Sequence, residues 1–231
     1  MLKTSISNKT KITSLAAAVA LLGLGAIQAQ GQAITYNFAD DTSDGWANAG
    51  FNATPLATVS TIGTQNYIYL PLGGFQVGNV AAGSGALFNA MAAAAADPAG
   101  YDISYNYYIN TATFSGATFL QVGTFWNQGD GYYAQNYGSP DEVQLSGAQI
   151  ASGAIFTGTV TINVGAIYSP VAGDTFYRLG LVENADSTST GVGVYFTDIS
   201  VSPVAVPEPA SLALFGLGLA AGTAFLRRRK A

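Results

Sequence analysis

An antiparallel β-sandwich or barrel between two apolar ends is the fold class this sequence predicts. Three observations carry that reading. Short runs alternating apolar and polar residues recur through residues 31–205, and a period of two marks a half-buried strand. The runs are split by Gly, Asn, Asp and Pro, with 28 Gly in the chain, which suits short antiparallel strands joined by turns. The 231 residues are 49% hydrophobic and 12% aromatic, enough to bury a core in one domain or a small pair and too apolar for disorder.

The elements follow in order. Ile34–Phe38 and Leu56–Thr61 read as strands, and Ile68, Leu70 and Leu72 share one face of another. Leu87 to Ala96 is the one helical segment, because its alanine run favours helix and Asp97-Pro98 stops it; an irregular crossover is the other reading. Ile103, Tyr105, Tyr107 and Ile109 alternate with Asp102, Ser104, Asn106 and Asn110, and Tyr108 breaks the alternation. Ala117–Trp126 and Tyr132–Asn136 come next. Val160, Ile162 and Val164 alternate with Thr159, Thr161 and Asn163, and Tyr177, Leu179 and Leu181 share a face. In the last strand, Gly193–Ser202, the apolar parity switches between Phe196 and Ile199. A β-bulge at Thr197-Asp198 explains the switch. No period of 20–50 residues suggests a solenoid.

Composition excludes several chemistries. The chain has no Cys and no His, so disulfides, thiol nucleophiles, Cys-ligated zinc and any His-based triad are ruled out. Residues 30–206 hold 12 acidic residues against one basic residue, Arg178, a net charge of −11. Such a body will not bind nucleic acid through phosphate contacts. It should stay soluble and could attract divalent cations, with an ordinary acidic surface as the other reading.

The two ends are addresses. Lys3, Lys9 and Lys11 precede an apolar stretch from Ala16 to Ile27, and small residues follow it at Ala29 and Ala33. This is the layout of a secretory signal peptide, here residues 1–29, read by the export translocon. An uncleaved anchor is the alternative, and either way the chain is exported. At the other end, Pro207-Glu208-Pro209 is extended and accessible, since proline fixes its own φ and keeps the residue before it out of helix. An uncharged run of 18 residues, Pro209 to Leu226, is long enough for a short transmembrane helix. Arg227, Arg228, Arg229 and Lys230 close it and favour the cytoplasmic side. The body, residues 30–205, then lies across the membrane, as the signal peptide also requires.

Residues 206–231 resemble the PEP-CTERM sorting signal of Gram-negative bacteria. The Pro207-Glu208-Pro209 triplet, the glycine-spotted apolar helix and the terminal Arg cluster match in order and spacing. The resemblance implies processing by an exosortase, with the triplet as substrate motif. It further implies an inner-membrane-anchored intermediate, then the cell surface or extracellular matrix of a host that exports polysaccharide. A plain C-terminal anchor is the alternative.

The body resembles, at its two terminal strands, the jelly-roll carbohydrate-binding-like modules. These often open on a Phe-acidic-Gly-Trp stretch, here Phe38 to Trp46, and close on a Tyr-Phe-x-Asp-Ile-x-Val strand, here Tyr195 to Val201. The resemblance implies a jelly-roll-like sandwich whose first and last strands meet. It also implies a structural calcium beside them, which would use Asp40 or Asp41 and Asp198. Ala39 departs from the pattern, which usually places Glu directly after Phe.

Candidate sites keep two readings each. Asp40, Asp41 and Asp44 could supply oxygens to a hard cation or form a solvated acidic turn. Trp46, Trp126, Tyr132 and Tyr133 could stack on sugar rings, with Gln128, Asp130, Gln135 and Asn136 near in sequence, or could pack in the core. Glycoside hydrolysis needs two carboxylates at a set separation, and no motif selects a pair from Asp141, Glu142, Asp174 and Glu183. Asp141 and Glu142, being adjacent, would face opposite sides of a strand. Arg178 reads as a structural ion-pair partner. The expectation is a non-enzymatic surface or biofilm-matrix protein associated with exopolysaccharide. An adhesive protein binding other proteins is the alternative, and a polysaccharide hydrolase a distant third.

Overall fold

The computed structural model describes residues 33–46, 57–70, 80–82, 85–136, 142–186, 191 and 193–204. The expected signal peptide, residues 1–29, and the sorting segment, with its Pro207-Glu208-Pro209 triplet, apolar span and Arg227–Lys230 cluster, lie outside them. Among the described residues no helix is long and apolar enough to cross a membrane. Gly31–Val204 forms one compact unit.

Eleven strands were found in the described residues: β1 (Ile34–Tyr36), β2 (Thr58–Ile62), β3 (Gln65–Leu70), β4 (Val80–Ala82), β5 (Tyr101–Asn110), β6 (Phe119–Gln128), β7 (Tyr133–Asn136), β8 (Val143–Ser146), β9 (Ile155–Asn163), β10 (Phe176–Ala185) and β11 (Val194–Pro203). Helix α1 (Ala86–Ala96) ends at Asp97, and Pro98 opens a 3-10 turn. Two short helices, α2 (Gly147–Ala151) and α3 (Val164–Ile167), follow β8 and β9. Neither these helices nor β4 and β8 were expected from the sequence. Asp141 lies outside the described residues, and Glu142 sits in the bend before β8 rather than within a strand.

All pairings are antiparallel. One sheet runs β2-β3-β11-β5-β9, with β1 also on β11; the other runs β4-β10-β6-β7, with β8 also on β6. Inward residues of both sheets, among them Ile103, Tyr105, Val194 and Phe196 from the first and Leu120, Val122, Trp126 and Leu179 from the second, make one continuous core. The architecture is therefore the expected sandwich. In α1, Leu87, Ala90, Met91, Ala94 and Ala95 are buried, and the Phe88 ring lies 5.4 Å from that of Tyr177.

Strand β11 organises the first sheet. It pairs along β5 on one side. On the other it meets β3 through Val194–Phe196 and then β1 through Ile199–Val201. The first and last strands therefore meet, as the resemblance implied. The register slips between Thr197 and Ser200, where the parity switch placed a bulge. The extra residue lets both Phe196 and Ile199 reach the core. Asp198, at the slip, adopts φ +50°, a left-handed conformation that Asp tolerates better than most residues.

In the second sheet, Gly180 permits a close approach. A Cβ there would stand 1.6 Å from Phe125 Cε1. The missing side chain lets the Phe125 ring lie across β10, and Phe125 and Val182 form a small buried cluster of their own.

Candidate functional site

Alternation along the strands puts every second side chain of the first sheet on its outer surface. In β3 the inward residues Ile68 and Leu70 are buried, and Tyr67 and Tyr69, which alternate with them, are half-buried. In β11 Val194 and Phe196 point inward and Tyr195 outward; in β5 Ile109 points inward and Tyr108 outward. The register then sets these residues side by side. Thr58 faces Tyr69, Tyr69 faces Tyr195, Tyr195 faces Tyr108, and Tyr108 faces Thr157. One row across five strands thus reads Thr, Tyr, Tyr, Tyr, Thr. In the next row Ser60 faces Tyr67, and Thr197 and Thr159 flank Asn106.

The four tyrosines form one cluster. Ring centroids are 5.3 Å apart for Tyr69 and Tyr195, 6.0 Å for Tyr108 and Tyr195, 6.1 Å for Tyr67 and Tyr108, and 6.5 Å for Tyr67 and Tyr195. Interplanar angles run from 41° to 81°, the tilted and edge-to-face geometry that the ring quadrupole favours. The result is a ridged aromatic surface rather than a plane. Burial raises the hydroxyl pKa of Tyr67, Tyr69 and Tyr195 above the usual phenol range, and the Asp198 carboxylate adds to the effect at Tyr67. All three stay neutral donors near pH 7.

Polar groups are fixed beside the rings. Thr159 Oγ1 donates to Asn106 Oδ1 at 2.5 Å, and Asn106 Nδ2 donates to Asp198 Oδ2 at 2.7 Å. Gln65 Nε2 donates to Thr197 Oγ1 at 2.9 Å. The bulge thus aims a carboxylate at the tyrosine end of the sheet and a cross-strand amide holds it there. A sugar ring can lay its C–H face, with its partial positive charge, on the negative face of such aromatics. Carboxylate, amide and hydroxyl groups alongside can bind its hydroxyls.

The sugar-binding residues expected from sequence are placed elsewhere. Trp46 and Trp126 are both 0% exposed, so neither offers a face to a ligand. Trp46 packs edge-on to Tyr36 at 5.8 Å. Trp126 lies between Tyr168 and Tyr177, each 5.9 Å away, and its Nε1 donates to Gln128 Oε1 at 2.9 Å. Tyr132 is half-buried, and its hydroxyl accepts from the Ser169 amide. Tyr133 is 37% exposed on the other sheet, 5.7 Å from Phe125. These four residues do not make one surface. The useful signal lay in Tyr108, which broke its strand's alternation, and in tyrosines spaced two apart at 67 and 69.

The expected cation ligands do not assemble either. Among the described residues no group of three or more acidic side chains comes together as a metal-ligand set. Asp40 Oδ1 accepts from the Thr42 amide and lies 2.7 Å from Thr42 Oγ1, which is 3.0 Å from Asp44 Oδ1. These bonds hold the Asp40 carboxyl below its ordinary pKa. Asp41 Oδ1 accepts from Asn66 Nδ2 at 2.7 Å. The stretch is a hydrogen-bonded acidic turn. Of the carboxylates considered for hydrolysis, Glu183 is 0% exposed, and Asp174 accepts from the amides of Asp130 and Thr175. Arg178 is buried on β10 with its guanidinium 5.2 Å from the Phe176 ring, and burial lowers its pKa.

Comparison with known proteins adds two findings. Residues 205–230 match the PEP-CTERM protein-sorting motif. Among solved structures, the chain is similar to CBM28, a carbohydrate-binding module specific for non-crystalline cellulose, at 16% identity and TM-score 0.49, over 77% of this chain and 97% of that one. It is also similar to the C-terminal family 22 carbohydrate-binding module of Clostridium thermocellum Xyn10B, at 11% identity and TM-score 0.46, over 78% and 99%. The CBM22-1 xylan-binding domain of Paenibacillus barcinonensis Xyn10C gives 9% identity and TM-score 0.42, over 77% and 98%. A search of the curated proteins finds no match. The chain thus closes on a PEP-CTERM sorting motif behind a body folded as an antiparallel β-sandwich.

Proposed function

We propose that this chain is an exosortase-sorted surface protein whose sandwich binds extracellular polysaccharide through the outer face of its first sheet, without altering the polymer chemically. The observation that carries the binding part is the cluster of Tyr67, Tyr69, Tyr108 and Tyr195, whose neighbouring rows supply hydroxyls, an amide and a carboxylate. The sorting motif supports the destination, by way of an export step and a membrane-anchored intermediate. Biofilm matrix is the setting where such a protein acts, with the polymer as its partner.

The test is retention of the full chain, in mild detergent, on the producer's own exopolysaccharide. Retention that falls about tenfold or more in Tyr195→Thr supports the reading, because Tyr195 touches three rings and threonine suits an outward strand position. Absence of retention by the intact chain sinks it and leaves the protein-binding alternative. Release of free sugar in the same assay sinks the non-enzymatic part. Sorting is tested separately. Glu208→Gln should accumulate an unprocessed precursor in the inner membrane, and normal processing would argue against exosortase recognition of the triplet.

A further inference from the structure

The tyrosine face carries a charge pattern that narrows its ligand. Its sheet consists of β1, β2, β3, β5, β9 and β11, and none of these strands contains Lys or Arg. They contain two carboxylates, Asp102 and Asp198, both on β-strands of the outer face. The body's one basic residue, Arg178, is on β10 in the other sheet. An anionic glycan would find no counter-charge on the face and a repulsive body of net charge −11 around it. A cation would meet what this face does supply. Aromatic faces attract ammonium groups through the ring quadrupole. Asp198 is anchored beside them by Asn106, and its charge is felt at the Tyr67 hydroxyl.

From this juxtaposition we infer that the face selects an amine-bearing glycan, one with protonated amino sugars, over neutral or anionic polymers. The ammonium group lies among the tyrosines with Asp198 as its counter-ion, and the apolar face of the sugar ring covers a tyrosine. Asp102, held toward Asn163 Nδ2 at 3.3 Å, extends the same negative character toward the far end of β5. The inference rests on the binding reading above and narrows it.

The experiment compares retention of the full chain, in mild detergent at about pH 6 where carboxylates are ionised, on four immobilised probes. These are glucosamine oligomers, N-acetylglucosamine oligomers of equal length, a neutral glucan and an alginate. The expected result is retention on the glucosamine probe, weakened by salt because charge pairs at a surface are screened. Asp198→Asn should reduce that retention about tenfold and reduce retention on the N-acetylated probe by clearly less, since that probe loses a hydrogen-bond acceptor but no charge pair; asparagine tolerates the left-handed backbone at 198, so the fold is kept. The acidic body by itself would hold any polycation, so Tyr195→Thr is the second variant, and it should also lose the glucosamine probe. Three results overturn the inference and leave the binding reading standing: equal retention on acetylated and free-amine probes, preference for alginate, or tyrosine-dependent retention indifferent to Asp198→Asn. Glucosamine retention unchanged in Tyr195→Thr overturns it as plain charge attraction. Absence of retention on all four probes overturns the inference, and only absence of retention on the producer's own exopolysaccharide as well overturns the binding reading.

Discussion

Asn106 on β5 donates its side-chain amide to Asp198 on β11 at 2.7 Å, at the point where the register between those strands slips. The bond ties the bulge of the last strand to a central strand of the sheet. It also fixes the direction of a carboxylate whose backbone sits at φ +50°.

That backbone makes position 198 selective. Alanine there should cost about 1–2 kcal/mol in chain conformation and remove the acceptor for Asn106. Asparagine should keep stability within about 1 kcal/mol, since it tolerates the conformation and still offers an oxygen. Urea denaturation of the two variants checks this, and equal stabilities would show that the bulge imposes no strain.

Trp126 is a core residue, so its truncation acts through folding. Trp126→Ala should lower stability by about 3–5 kcal/mol, with a matching fall in thermal midpoint. At a temperature where the variant remains folded, retention on polysaccharide should equal that of the parent. A selective loss of binding by the folded variant would mean that the indole reaches ligand after all.

Gly180 is a packing position. Gly180→Ala pushes a methyl into the Phe125 ring, and overpacking of this kind costs about 1–3 kcal/mol. Gly180→Ala combined with Phe125→Leu should recover part of that loss. A double-mutant cycle showing strict additivity would rule out the contact as the cause.

Alkali should weaken the sandwich through Tyr36. Burial, then the Asp44 carboxylate, push its hydroxyl from 10.0 up to about 12. Its pKa is higher folded than unfolded, so the folded chain retains the proton that the unfolded chain has already lost. The stabilisation is complete below about pH 10 and is lost as pH rises toward 12. Denaturant midpoints taken stepwise through that window should fall more steeply for the parent than for Tyr36→Phe. Parallel slopes would be the contrary outcome.

Local sequence was enough for anything written within one strand or one tail. Alternation gave the β class, the parity break at Phe196 and Ile199 gave the bulge, and the alanine run with Asp97-Pro98 gave α1. The sorting motif was legible without any fold, because it is a linear pattern of a triplet, an apolar run and a basic end. Short elements such as β4, with three residues, and α3, with four, have too little pattern to stand out against turns.

The candidate face was a tertiary decision. Tyr67, Tyr108 and Tyr195 come from three strands far apart in the chain. Only the register that pairs β3 and β5 with opposite sides of β11 sets them in one cluster. The same packing took Trp46 and Trp126 out of contention, because which large aromatics fill a core depends on how two sheets close over them. Sequence by itself determined the export address, the strand-forming alternation and the acidic, cation-poor character of the body. Tertiary structure decided which aromatics face solvent and where Asp198 points, because both depend on contacts between segments that no local pattern records.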